Sequence, residues 1–480
     1  MTPTRRGGRG RIALASSVLA IAAAHAAAAQ EARPDPRIEA LERQIEALRA
    51  EVNQLKAERA AGTAAAPAPA QTPAVTAAAA PAPVATAQAE APKPKDSVKF
   101  SPSPQWTSAD GAFSFKVRGR MELDTAFFDL RRGNRDFSNG VELRRARLGI
   151  DGKLFTDWAY RLEADLANAG RDDSSGAEVD IKDAFIQYNG FKDLSITIGQ
   201  HKTPNGLDQL TSSSFLTFLE RASFSEAFLD RKNGGGDFKL GISAKYSQKD
   251  WNLTLGVFGE NTTITGASGA DEGYGFHGRL VVTPVNTDDN LVHLGFSGFW
   301  RDTGGRKTVR FGDRPEVRVD GARLVDTSAF SADSYTFVGA EFIGASGSFF
   351  VQAEYGRTDV NRPNGFSDVN FDGGYVQAGW FLTGERLPYK DGVLTRLVPN
   401  RSLSPKDGGW GAFQLAARYS ALGLNDGTVQ GGRQENFTVG LNWYANPYIR
   451  VLLNWVRFDT TRRGVETDGD AFATRLSIAW

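Results

Sequence analysis

The sequence predicts an all-β chain: a 16-stranded antiparallel transmembrane β-barrel preceded by a short N-terminal coiled-coil helix and a disordered Ala/Pro linker. Three observations predict it. Apolar and polar residues alternate with period two in segment after segment beyond Phe100, short and long connections follow one another in turn, and aromatic residues gather at segment ends. Composition agrees: 52 glycines, 11% aromatic residues and only 2 methionines suit strands and turns better than a helical bundle. With no cysteine, disulfides, thiolate metal sites and cysteine nucleophiles are excluded. A formal net charge of +0 removes the simplest case for nucleic acid, and no such partner is expected.

Residues 1–29 read as a secretory signal. Arg5, Arg6, Arg9 and Arg11 form its charged region, "IALASSVLAIAAA" its apolar segment, and "AAAAQ" a cleavage site before Gln30. An Ala-rich anchor helix is the alternative, but the apolar part is too short to span a bilayer. The mature chain therefore leaves the cytoplasm of a Gram-negative bacterium.

Residues 30–59 hold a short coiled coil. Ile38, Leu41, Ile45, Leu48, Val52 and Leu55 recur at alternating spacings of three and four, with charged residues on the flanks. So few heptads are marginal alone, and the coil must take its oligomeric state from what it is attached to. A lone amphipathic helix packed on a domain is the alternative. Residues 60–97 are almost entirely Ala, Pro and Thr, too poor in large apolar side chains to offset ordering entropy. In polyproline geometry this spacer reaches on the order of 100 Å.

The barrel domain, 98–480, opens with "FSFKVRGRMELDTAF". There Phe113, Phe115, Val117, Met121, Leu123 and Phe127 oppose Lys116, Arg118, Arg120, Glu122 and Asp124. One face wants hydrocarbon and the other water. Sixteen such segments centre near residues 120, 148, 163, 184, 197, 242, 255, 279, 295, 339, 352, 377, 415, 438, 453 and 475. An even count is what a closed single-chain bacterial barrel needs. Connections after even-numbered segments are short, as expected of periplasmic turns, and those after odd-numbered segments are longer, as expected of outer loops. The connection at about 384–409 breaks this rule, as either an unusual periplasmic excursion or an overlooked hairpin. A soluble β-sandwich would explain the alternation equally well. It would not explain why Trp158, Trp251, Trp443, Tyr444, Tyr448 and Trp480 fall near segment ends, where an interfacial girdle belongs. The last strand is expected to pair with the first.

The segments "ELRRARLGIDGKLFTDWAYRLEADLA", "DAFIQY", "ITIGQHKTPNGLDQLTSSSFLTFLERA", "GAFQLAARYSALGLNDG", "NFTVGLNWYANPYIRVLLNWVRF" and the terminal aromatic resemble the phosphate-selective porins O and P. The resemblance runs from about residue 110 to the end. It implies a trimeric outer-membrane channel of sixteen strands, a constricting loop folded into the lumen, basic residues that guide anions, and an aromatic C-terminus read by the assembly machinery.

Beside that resemblance, the chemistry read from the residues is electrostatic. Alternation places Arg118, Arg120, Arg145, Arg147, Lys153 and Arg161 toward the lumen on three neighbouring strands, where they would line the pore and guide anions. Glu122, Asp124, Asp151, Glu163 and Asp165 interleave with them, so a self-neutralised wall of ion pairs is the alternative. The connection 201–236 carries Phe215, Leu216, Phe218, Leu219, Phe224 and Phe228, too greasy to float in water. It is expected to fold inward as the constriction, with Lys202, Asp208, Glu220 and Arg221 as its charged members. Packing over the rim or on a neighbouring subunit is the alternative. "RDTGGRKTVRFGDRPEVRVDGAR" is either an anion funnel or a solvated surface loop.

Two features depart from the family pattern. Ser214 stands where relatives often carry a basic residue, and from Val98 onward 44 lysines and arginines face 47 aspartates and glutamates. No global field favours anions, so selectivity must be local. The expected function is a passive channel for small anionic solutes, with phosphate or polyphosphate in view. A non-selective diffusion pore is one alternative. The other is a structural tether to a periplasmic or cell-wall partner through the coil. Outer-membrane lipid and two further copies of the chain are the expected partners. No cofactor, metal site or catalytic residue is expected. His201 near Ser212–Ser214 is the one hydrolase-like grouping, and it lacks an orienting motif.

Overall fold

A segment with hydrocarbon on one side and water on the other must keep period two, and sixteen strands of the structure do so. The structure is a computed structural model that describes residues 96–480, except 101, 134, 168–178, 230–236 and 262–270, together with Ala50. The expected signal peptide, the coiled coil apart from Ala50, and the linker through residue 95 lie outside the described residues.

The wall consists of β1 (Ser114–Arg132), β2 (Gly140–Leu154), β3 (Trp158–Asp165), β4 (Asp180–Phe191), β5 (Leu194–Lys202), β6 (Phe238–Ser247), β7 (Trp251–Phe258) and β8 (Gly275–Asn286). It continues with β9 (Asn290–Asp302), β10 (Ser334–Ser346), β11 (Phe349–Asn361), β12 (Val369–Phe381), β13 (Ala412–Asp426), β14 (Val429–Tyr444), β15 (Ile449–Arg462) and β16 (Val465–Ala479). Each pairs antiparallel with the next, and β16 pairs with β1 from Ala479↔Arg120 to Asp468↔Arg132. All sixteen expected centres fall inside these strands. Outward faces are apolar and exposed, as in β1, where Met121, Leu123 and Phe127 point out while Arg120, Glu122 and Asp124 are buried within.

The seam explains the apolar C-terminus. Trp480 N donates to Gly119 O at 3.0 Å, Gly119 N donates back at 3.2 Å, and a side chain at Gly119 would overlap the Trp480 indole. Only glycine leaves room there. Just beyond the end of β16, Ser114–Lys116 would be an open edge. Instead it pairs with a short strand at Gln105–Thr107, which pairs in turn with Ser97–Lys99.

Both ends of the barrel chain and the turns after the even-numbered strands lie at one rim, the one expected to face the periplasm. The outer connections after β13 and β15 do not fit the expectation of long loops: they are residues 427–428 and 463–464. Here β13–β16 run 14–16 residues and make their own projection, closed by turns such as Arg463–Gly464, both at positive φ. The long connection after β12 is a periplasmic excursion that also contains a hairpin, Tyr389–Lys390 against Val393–Leu394. It adds no strand to the wall. It folds up into the lumen.

Two outer connections fold down to meet it. Phe224 and Phe228 from residues 203–237, and Phe311 and Val325 from residues 303–333, pack with Phe299, Phe337 and Phe371 of the wall. Near the other rim Leu207 and the hairpin's Leu394 pack with Leu291 and Ile343. Much of the lumen beside β9–β16 is thereby filled, and the open space that remains lies against β1–β8.

Candidate functional site

The bore begins with an irregularity in β2. Glu122 pairs with Arg145 and Leu123 with Leu143, so Arg144 is an extra residue in a β-bulge. The bulge resets the alternation: Val141 and Leu143 above it and Leu148 and Ile150 below it all face outward, while Arg144 and Arg145 are both buried inside. Two consecutive arginines thus enter one lumen.

They converge on Glu220 of the inward-folded connection 203–237. Arg144 grips its carboxylate with two bonds of 2.8 and 3.1 Å, Arg475 reaches it at 2.6 Å, and Arg145 lies 3.7 Å away. Arg145 also donates to Glu122 at 2.5 Å, and Arg475 makes two 2.7 Å bonds to Asp124. Burial opposes ionisation of Glu220, but Arg144, Arg145 and Arg475 outweigh it and hold the carboxyl well below its usual range. One loop side chain is therefore bound to β1's neighbours on both sides, β2 and β16.

The rest of the loop is held in the same manner. A short helix, α1 (Leu207–Leu210), points its first amides at Glu354 of β11, which accepts from Leu207 N at 2.8 Å and Asp208 N at 2.7 Å. Asp208 accepts from Ala222 N at 3.0 Å, just ahead of α2 (Ser223–Phe228). Arg221 donates to the carbonyls of Asp208, Gln209 and Thr211, and Lys202 to that of Gln209. Arg120 binds Ser213 at 2.5 Å and Ser212 at 2.9 Å. These residues hold the loop's shape; Lys202 and Arg221 also line the bore.

From residues 303–333, Glu316 is the anchor. Held at φ 55, it accepts from Ser223 N at 3.2 Å, Ser420 Oγ at 2.5 Å, Thr438 Oγ1 at 3.2 Å and the Arg418 guanidinium. That arginine-rich segment is thus tucked into the barrel rather than spread over its surface. Arg314, Arg318 and Arg323 reach the bore. Burial, together with the guanidiniums of Arg318, Arg323 and Arg144, pushes Arg314 down to about 8.

The space left is a cavity of about 720 Å³. Among the described residues its lining holds 14 arginines and lysines against 7 aspartates and glutamates. Arg118, Arg120, Arg145, Arg147 and Arg161 are among them, each with an acidic neighbour: Arg118 with Glu163 at 2.9 Å, Arg147 with Asp165 at 2.8 Å, Arg161 with Asp183 at 3.6 Å. Lys153 is exposed near the periplasmic rim, outside this lining. His201 bonds Ser243 at 2.8 Å rather than Ser212 or Ser213, which Arg120 occupies. The hydrolase-like grouping does not form. Alternation alone could have placed Lys245 and Arg279 in the bore, whereas nothing in the pattern marks Arg144, which owes its position to the bulge.

The profile of the phosphate-selective porin O and P family matches residues 115–480, nearly the whole wall. The chain belongs to that family. Porin O of Pseudomonas aeruginosa is 28% identical over 421 residues, covering 80% of this chain and 92% of its own. An uncharacterised protein of Caulobacter vibrioides is 33% identical over 381 residues, 75% of this chain and 71% of its own. Among solved structures, the trimer form of OmpT, an outer-membrane protein of Vibrio cholerae, superposes with a TM-score of 0.50 at 12% identity, over 77% of this chain and 100% of that one. This porin is accordingly a channel of the Gram-negative outer membrane.

Proposed function

We infer that this porin is a passive, anion-selective channel, a homotrimer in the membrane, with phosphate or a phosphate-bearing chain as its preferred solute. The observation that carries the reading is the twofold excess of basic over acidic side chains among the described residues of the cavity, in a barrel whose overall charge is slightly negative. A local excess in low-dielectric walls concentrates anions where a global field would not. The crowding of Arg314, Arg318, Arg323 and Arg144 supports the same reading, because an anion among them would relieve their mutual repulsion. Guanidinium forks also suit phosphate oxygens.

The test is electrical. In planar bilayers under a potassium chloride gradient, the reversal potential should favour chloride over potassium, and added phosphate should block the chloride current. Equal permeability to both ions with no block would make the protein a general diffusion pore.

A further inference from the structure

We propose that Asp391 is a specificity-determining residue at the periplasmic exit of the bore, a fixed carboxylate that hastens release of the anion and limits anion preference. The inference rests on the anion-channel reading above. Asp391 is at the tip of the inward hairpin, in an Asp–Gly turn with φ 52 and 92 at its two central positions. The turn is clamped by its backbone: Arg279 donates to Gly392 O at 2.8 Å and Lys245 to Asp391 O at 3.4 Å. Because the main chain makes these bonds, the Asp391 side chain is left exposed within the cavity. Glu163, Asp165, Asp180, Asp183 and Glu226 of the lining each pair with a basic side chain, whereas the Asp391 carboxylate makes no ion pair or hydrogen bond among the described residues.

Its place gives that charge its consequence. Lys245 is near the periplasmic end of β6, so the hairpin tip stands where a solute leaves a run of basic side chains. A channel conducts only when its sites are weak enough to let go. A carboxylate with no close ion pair, set near Lys245, draws on that lysine's field, weakens the final site and repels a dianion more than a monoanion.

The full chain in planar bilayers tests this with Asp391→Asn. Asn tolerates the left-handed conformation and Asn–Gly favours the same turn, so the hairpin is kept. The chloride-to-potassium permeability ratio should rise roughly two- to fivefold over wild type, and phosphate should block at a correspondingly lower concentration. Lys245→Gln should move both quantities the other way, and Asp288→Asn, on another periplasmic turn, neither. An unchanged or lowered ratio in Asp391→Asn, or an equal change in Asp288→Asn, overturns the proposal. The wild-type ratio tests the channel reading, while the variant-to-wild-type quotient tests Asp391, so the two fail separately.

Discussion

Glu220 shows how one loop residue couples to the wall. Its carboxylate is shared by Arg144, Arg145 and Arg475, so Glu220→Gln leaves three buried guanidiniums short of an anion. Breaking a buried ion-pair network in this way costs about 3–5 kcal/mol. The variant should show noisier open-channel current and faster proteolysis of the loop. The pH sign follows from the depressed carboxyl: its stabilisation is present above the ordinary glutamate range and is lost only as the pH falls well below it. Wild-type current should therefore stay quiet through mild acid, and noise should set in at strong acid; noise that begins on the alkaline side would contradict the assignment. Glu220 and its loop neighbours were legible as charged members of a greasy inward loop. Their partners were not, because alternation tells which face a side chain is on and says nothing about a contact between residues 475 and 220.

At the scale of elements, strands were easier to read than loops, for a physical reason. A strand in lipid has its pattern imposed by solvent on both faces, and all sixteen segments follow it. A bulge adds one residue without altering composition, so strict alternation from Arg145 cannot place Arg144 in the lumen. Loops answer to their anchors instead: Glu316 and Glu354 bind segments far from them in sequence. The hairpin at 389–394 did carry a local sign, the Asp–Gly pair in "YKDGVL", which marks a tight turn. Replacing residues 389–394 by a short glycine linker should clear the periplasmic mouth and raise single-channel conductance roughly twofold. Unaltered conductance would mean that the narrowest point is higher, at the outer loops alone.

For the whole molecule, the wall and the N-terminal extension are separable proposals. We expect residues 30–59 to form a coil and 60–97 a spacer that serve a periplasmic or cell-wall contact. Removing residues 30–97 should leave conductance and selectivity unchanged within experimental scatter while abolishing cosedimentation with cell-wall polymer. Lost conductance would tie the extension to the pore itself.

The bonds to Glu220 come from β2 and from β16, near the start and at the end of the wall. Until those two strands stand on either side of β1, the clamp has only half its jaws. The clamp on Glu220 is thus complete only once the cylinder has closed. Sealing the cylinder and completing the clamp on this loop therefore become a single event.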